Sequence, residues 1–156
     1  SQSDPATLIW RGNTGSRKCE LTAIEEGEVA LSADSQWLQS EGEKAAVLGY
    51  NTFGNTSDTF TIKSIDSEVL FENGNDNQIG KGQFSNAEVQ LSYDGGAYQQ
   101  VWQNKAATPL TNQAGKDVSG NGQMDVHVKT NGHKNDNGEI QFGAYVVKNT
   151  VVCLVD

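Results

Sequence analysis

The segment DVSGNGQMD, residues 117–125, has the spacing nearest to a chemical motif in this chain. Asp117, Ser119, Asn121, Gly122 and Asp125 match successive positions of a calcium loop, where alternating oxygen donors and a glycine wrap the ion. The closing position, which calls for a bidentate Glu, is Val128, and the flanks read as strands. A turn between strands therefore accounts for the same residues without an ion. His127 lies beside Asp125 and Lys129 on the outward face of an alternating strand, and His133 lies in the loop NGHKNDNG. Neither has a placed partner, so both are expected to be solvated. No GxSxG elbow is present, and Glu20, Glu25, Glu26 and Glu28 flank a turn as a solvated face. A glycosidase would need two carboxylates held across a cleft. The expectation is a protein without catalysis, metal or cofactor.

The aromatic residues offer binding chemistry instead. Trp37, Tyr50, Tyr93, Tyr98 and Trp102 are the candidates for a platform on which sugar rings stack, with Trp37, Tyr98 and Trp102 the foremost. Their competing role is to fill the core, and exposure of Trp102 would separate the two. Asn55-Thr56-Ser57 is a formal glycosylation sequon, meaningful only in a eukaryotic secretory chain.

Cys19 and Cys153 sit in RKCELTAI and TVVCLVD, both strand-like and both placing the cysteine inward. Two buried thiols and one disulfide are both compatible with that placement. The acidic, Asn-rich composition with one Met looks exported, which makes the bridge the expectation. It would close a loop of about 134 residues and contribute on the order of 5 kcal/mol by the chain-entropy relation. Neither cysteine has a CxxC spacing or a neighbouring His, which argues against redox catalysis and zinc.

These residues must be positioned by a chain of 156 residues with 35% hydrophobic and 20% charged side chains. That length holds one domain, residues 1–156, with a real core. Gly supplies 17 residues and Asn 14, while Pro supplies two, which favours tight turns between short strands over helices. The net charge of −9 and the scattered Lys and Arg exclude nucleic acid as a partner. No apolar run is long enough for a membrane helix, so no membrane insertion is expected. The opening SQSDPATLIW has no basic or apolar leader region, so a signal peptide is either already removed or was never there.

Periodicity predicts strands at 6–10, 18–24, 28–33, 58–65, 67–73 and 123–132, a hairpin over 87–104 and a long terminal strand through AYVVKNTVVCLVD. The cluster NGNDN after the strand at 67–73 reads as a turn, and the stretch 37–48 has room for a helical turn that Gly42 interrupts. Short strands at intervals of roughly ten residues predict an all-β sandwich.

From Met124 onward the order is an alternating strand, a polar loop, IQFGAY and TVVCLV. This resembles the close of subunits assembled by the bacterial chaperone–usher pathway, which end in an L-x-A-G-x-Y motif and a terminal strand. Ile140, Phe142, Gly143 and Tyr145 stand in for that motif, with Phe142 in place of the small residue. The match covers about 33 residues, and ATLIWRGNTGSRKCELTAI is similar, more weakly, to the opening of such subunits. The resemblance implies an immunoglobulin-like sandwich lacking its last strand and finished by one donated from a neighbour. The acceptor groove is then expected beside Thr150, Val151, Val152, Leu154 and Val155. The implied partners are a periplasmic chaperone, an usher, neighbouring fibre subunits and a host glycan or protein receptor, and the implied place is the bacterial cell surface. A bridge from Cys19 to the last strand resembles the invasin-like tip subunits of some fimbriae.

Asp4-Pro5 breaks any donor alternation ahead of Trp10. Either the donor segment lies outside this sequence or the subunit donates to nobody, which would place it at a fibre tip. An adhesive fibre subunit is the leading expectation and a secreted carbohydrate-binding sandwich the alternative. A secreted hydrolase on a β scaffold comes last, since no catalytic constellation can be named.

Overall fold

The computed structural model describes residues 1–71, 77–79, 87–104, 108–110 and 113–156. Among the described residues twelve strands are formed: β1 (Lys18–Glu25), β2 (Ala30–Leu31), β3 (Leu38–Gln39), β4 (Ala46–Phe53), β5 (Phe60–Phe71), β6 (Asn77–Ile79), β7 (Glu88–Tyr93), β8 (Gln99–Gln103), β9 (Thr108–Pro109), β10 (Lys116–Val118), β11 (Asn121–Thr130) and β12 (Tyr145–Val155). The expected all-β class is met, and the described residues contain no α-helix.

Two antiparallel sheets result. One runs β1-β4-β11-β7-β8-β9, with β2 and β3 attached at the end of β11, and the other runs β10-β5-β12 with β6 on β5. They meet through one core. Ile62 and Val69 from β5 pack with Leu48, Val89, Leu91, Tyr93, Val101, Trp102 and Met124 from the larger sheet. Met124, Val126 and Val128 point inward from β11, as the alternation predicts, and His127 and Lys129 point outward.

Bulges at three places among the described residues shape these sheets, each adding one residue to one strand of a pair. Ile65 is the extra residue of β5 against β12, so the inward parity changes from Phe60, Ile62 and Ser64 to Ser67, Val69 and Phe71. That parity change makes one long strand read as two. Val101 is extra in β8, which leaves Val101 and Trp102 adjacent and both buried. Ile24 is extra in β1 and its side chain lies over Gly49.

Several expectations change. Residues 6–10 form no strand, and the whole segment 1–17 is exposed. The stretch 37–48 holds β3 and the start of β4 rather than a helical turn, and the strand at 28–33 shrinks to β2. The turn NGNDN falls mainly outside the described residues. Residues 117–125 pass from β10 in one sheet to β11 in the other through Gly120, whose φ of 78° suits glycine. Asp117 accepts a bond of 2.7 Å from the Thr61 hydroxyl, and no three-residue acidic, His or Cys cluster suited to a metal occurs among the described residues.

Candidate functional site

β5, the central strand of the smaller sheet, is paired on both sides. Along the far side of β5, β10 pairs with Phe60–Ile62 and β6 with Val69–Phe71. Between them the Gln113 side chain behaves as a short piece of strand. Its Oε1 accepts from the Ser64 amide at 3.1 Å, and its Nε2 donates to the Ser64 carbonyl at 2.8 Å. On the other side β12 pairs with β5 over its full length, from Tyr145 opposite Phe71 to Val155 opposite Phe60. No described strand pairs with the second edge of β12. Unpaired edge amides and carbonyls are a template for another strand.

The edge of the larger sheet on the same side is β1. Cys19 of β1 and Cys153 of β12 form the expected disulfide, with Cα atoms 5.9 Å apart, and it ties the two edge strands together near the end of β12. The side chains that β1 and β12 turn toward the core remain half open. Cys19, Leu21, Tyr145, Val147, Val151 and Cys153 all touch the core cluster or bridge to it without being buried, and Ala23 is exposed. Val89, Leu91 and Tyr93 of β7 are buried, while Tyr50 of β4, Phe71 of β5 and Val126 and Val128 of β11 are half-buried as well. The strip of half-buried side chains between β1 and β12, bordered on each strand by an edge that no described strand pairs, is the candidate cleft.

The structure sorts the expected groove residues by face. Val151 and Val155 share the inward parity with Tyr145, Val147, Asn149 and Cys153. Asn149 confirms that parity, since its amide bonds the buried Ser64 and Ser67 hydroxyls. Thr150, Val152 and Leu154 lie on the outer face, so they contribute only backbone to the cleft. Leu21 of β1 and Tyr145 and Val147 of β12 are floor residues that lie outside the run TVVCLV. Strict alternation through Cys153 is the signal that finds them.

Within the family-like motif, Tyr145 opens β12 and its hydroxyl donates to the Gln141 carbonyl at 2.6 Å. This is the arrangement of a tyrosine corner in sandwich folds. Its ring meets Phe71 at 5.0 Å between centroids, and burial pushes its hydroxyl up to about 12. Ile140 forms a lone bridge with Lys134, Gly143 lies in the bend before β12, and Phe142 is 76% exposed. Beside them is a cavity of about 390 Å³ lined by Leu31, Leu38, His133, Ile140, Phe142 and Tyr145, among others, at the start of the cleft's long wall.

His133 is not solvated as expected but 1% exposed. Its Nε2 donates to the Ser35 carbonyl at 3.1 Å, tying the loop before β12 to the turn between β2 and β3. Burial lowers its basicity, against the opposing pull of that carbonyl. His127 is half-buried, with Nδ1 2.7 Å from the Ser40 hydroxyl.

The aromatic candidates separate. Trp102 is 2% exposed and belongs to the core, so it is no part of a ligand surface. The bulge at Val101 turns it inward. Trp37 and Tyr98 come together on the outer face of the larger sheet, where the Lys129 ammonium lies 4.7 Å from the centroid of each ring. The Tyr98 hydroxyl donates to Glu41 at 2.8 Å, and burial together with that carboxylate pushes its pKa up. Lys129 and Glu41 were not foreseen, because their pairing with these rings depends on β3 and the β7–β8 hairpin converging on β11.

Comparison of the chain with protein-family models, with curated proteins and with solved structures finds no match among any of the three.

Proposed function

We propose that this chain is an exported, adhesive subunit of a bacterial surface fibre whose sandwich is finished by a strand from a neighbouring molecule. The observation that carries the reading is the edge of β12 that no described strand pairs, facing β1 across a strip of half-buried apolar side chains. The strand order supports it further. β1-β4-β11-β7 opposite β5-β12 follows the order of the ABED and CF strands of an immunoglobulin domain, and no described strand stands where the G strand would pair with β12. The disulfide fits an oxidising compartment. On this reading the partners are a periplasmic chaperone, an usher and a neighbouring subunit that donates the missing strand.

The exposed segment before β1 supports a donor role. Leu8, Ile9 and Trp10 are 72%, 68% and 83% exposed, an apolar run with no cover from its own domain. Large exposed apolar runs mark contact sites. Ala6, Leu8 and Trp10 alternate, so an extended arm would present them together to a neighbour's cleft. This favours a place within the fibre over one at its tip. Such a contact is heterologous and does not close, so it makes chains of subunits.

Light scattering on size-fractionated protein tests the reading. A concentration-dependent ladder of linear oligomers is expected, reduced to monomer by Leu8→Glu together with Trp10→Glu. A wild-type chain that refolds alone to a stable monomer at every concentration contradicts it. That result would favour the second reading, a self-sufficient carbohydrate-binding module, for which the Trp37–Lys129–Tyr98 surface is the supporting feature.

A further inference from the structure

We propose that the outer face of the larger sheet binds a sugar carrying a single carboxylate, with Lys129 as its counter-ion and Trp37 and Tyr98 as its stacking faces. The inference supplies a ligand class for the adhesive part of the reading above and rests on that part alone.

The Lys129 ammonium is the starting point. It sits 4.7 Å from the centroids of both Trp37 and Tyr98. The chain holds 20 Asp and Glu against 11 Lys and Arg, so a carboxylate partner is easy to supply. Yet the ion pairs among the described residues are Arg17–Asp58, Lys18–Glu20 and Lys44–Glu25, and none involves Lys129. Two ring faces hold the cation in place, half out of water, without neutralising it. An external anion completes it.

The surroundings select a sugar. Trp37 and Tyr98 offer flat faces for the C–H side of a pyranose ring, as aromatic side chains with one polar end do at binding surfaces. Gln39 and Gln90 are the cross-strand neighbours of Lys129, and His127 shares its face two residues away. Amides and an imidazole both donate and accept, which is what hydroxyl groups require. Tyr98 is oriented by its bond to Glu41, and Gln90 by its contact with Glu88 at 3.3 Å. Those two carboxylates and the net charge of −9 repel a polyanion, so the fit is to one negative charge beside neutral hydroxyls.

The test titrates the full chain with sialyllactose, lactose, a heparin oligosaccharide and an acidic peptide, read by calorimetry and by the Trp37 indole resonance. Sialyllactose is expected to bind at least about tenfold tighter than lactose, with heparin and the peptide weaker still. Lys129→Gln should bring sialyllactose down to the lactose level, and Trp37→Ala should abolish both, with unfolding transitions close to that of the parent. Equal binding of the two sugars, no binding of either, tighter binding of heparin or the peptide, or full sialyllactose binding in Lys129→Gln each overturns the proposal. Tyr98→Phe, which keeps the ring and frees Glu41, should retain sialyllactose preference and guards against a folding defect in the other variants. Oligomer formation is measured on the same samples. Its loss with sugar binding intact would sink the fibre reading alone, and the converse would sink this one alone.

Discussion

Cys19 and Cys153 join the two strands that border the cleft, with Cα atoms 5.9 Å apart, so a single covalent tie sets the spacing between the open edges of both sheets. No ladder of backbone bonds connects β1 with β12 among the described residues, and the sheets are held together by the core and by bonds such as those of the Gln99 side chain to Gly115. The bridge thus replaces, at one end of the cleft, the restraint that a strand between them would give.

Removing that tie should cost stability and cleft geometry together. Cys19→Ala with Cys153→Ala is expected to lose about 2–5 kcal/mol in denaturant unfolding, the range for native bridges in small domains. An unchanged unfolding midpoint would mean that the edge strands are held by something else.

The two tryptophans on opposite sides of the larger sheet should behave differently. Trp102→Ala removes the largest fully buried side chain among the described residues and is expected to cost about 3–5 kcal/mol. Trp37→Ala removes one ring from the Lys129 ammonium and should cost about 1 kcal/mol or less. Thermal or denaturant melts of the two variants distinguish a core role from a surface one.

Acidification should act through His133. Its folded-state pKa lies below the ordinary imidazole value, because burial opposes the charge. As pH falls below about 6.5 the unfolded chain takes up a proton that the folded chain resists, so stability declines with pH in that range. His133→Gln should flatten this part of the pH–stability curve, and an unaltered slope would exclude His133 as its source.

At lower pH the relevant group is Asp58. The Arg17 guanidinium, 2.9 Å away, and the Asn55 amide hold its carboxyl below the usual carboxylate range. Its contribution is present above about pH 4 and is lost as pH falls through the depressed value. Asp58→Asn should remove that component of acid sensitivity and loosen the start of β1, seen as faster amide exchange at Lys18 and Cys19.

Much of the fold is legible in the residues and much of the site is not. β11 and the β7–β8 hairpin follow directly from alternation around Met124, Val126 and Val128 and around Val89, Leu91 and Tyr93. The expected disulfide forms because both cysteines share the inward parity of their strands. Bulges defeat the same reading: Ile65 splits β5 into two apparent strands, and Val101 swings Trp102 from a supposed surface into the core. The open edge is a tertiary fact that no local pattern carries, since β12 reads the same whether one neighbour flanks it or two. Lys129 between Trp37 and Tyr98 is similarly hidden, because three separate segments meet there. His133 looks like a loop residue by its Gly and Asn neighbours, and only the approach of Ser35 explains its burial.

The most direct test of the central claim is residue-resolved amide exchange along Tyr145–Val155 in the monomeric Leu8→Glu/Trp10→Glu chain, with and without a peptide copying residues 5–13 of the parent. The account predicts alternating protection without peptide: amides turned toward β5 exchange slowly and those turned toward the cleft exchange fast. Added peptide should then protect the fast set. Uniform protection of β12 before any peptide is added, or cleft amides that stay fast at saturating peptide, would contradict an open edge that accepts a donated strand.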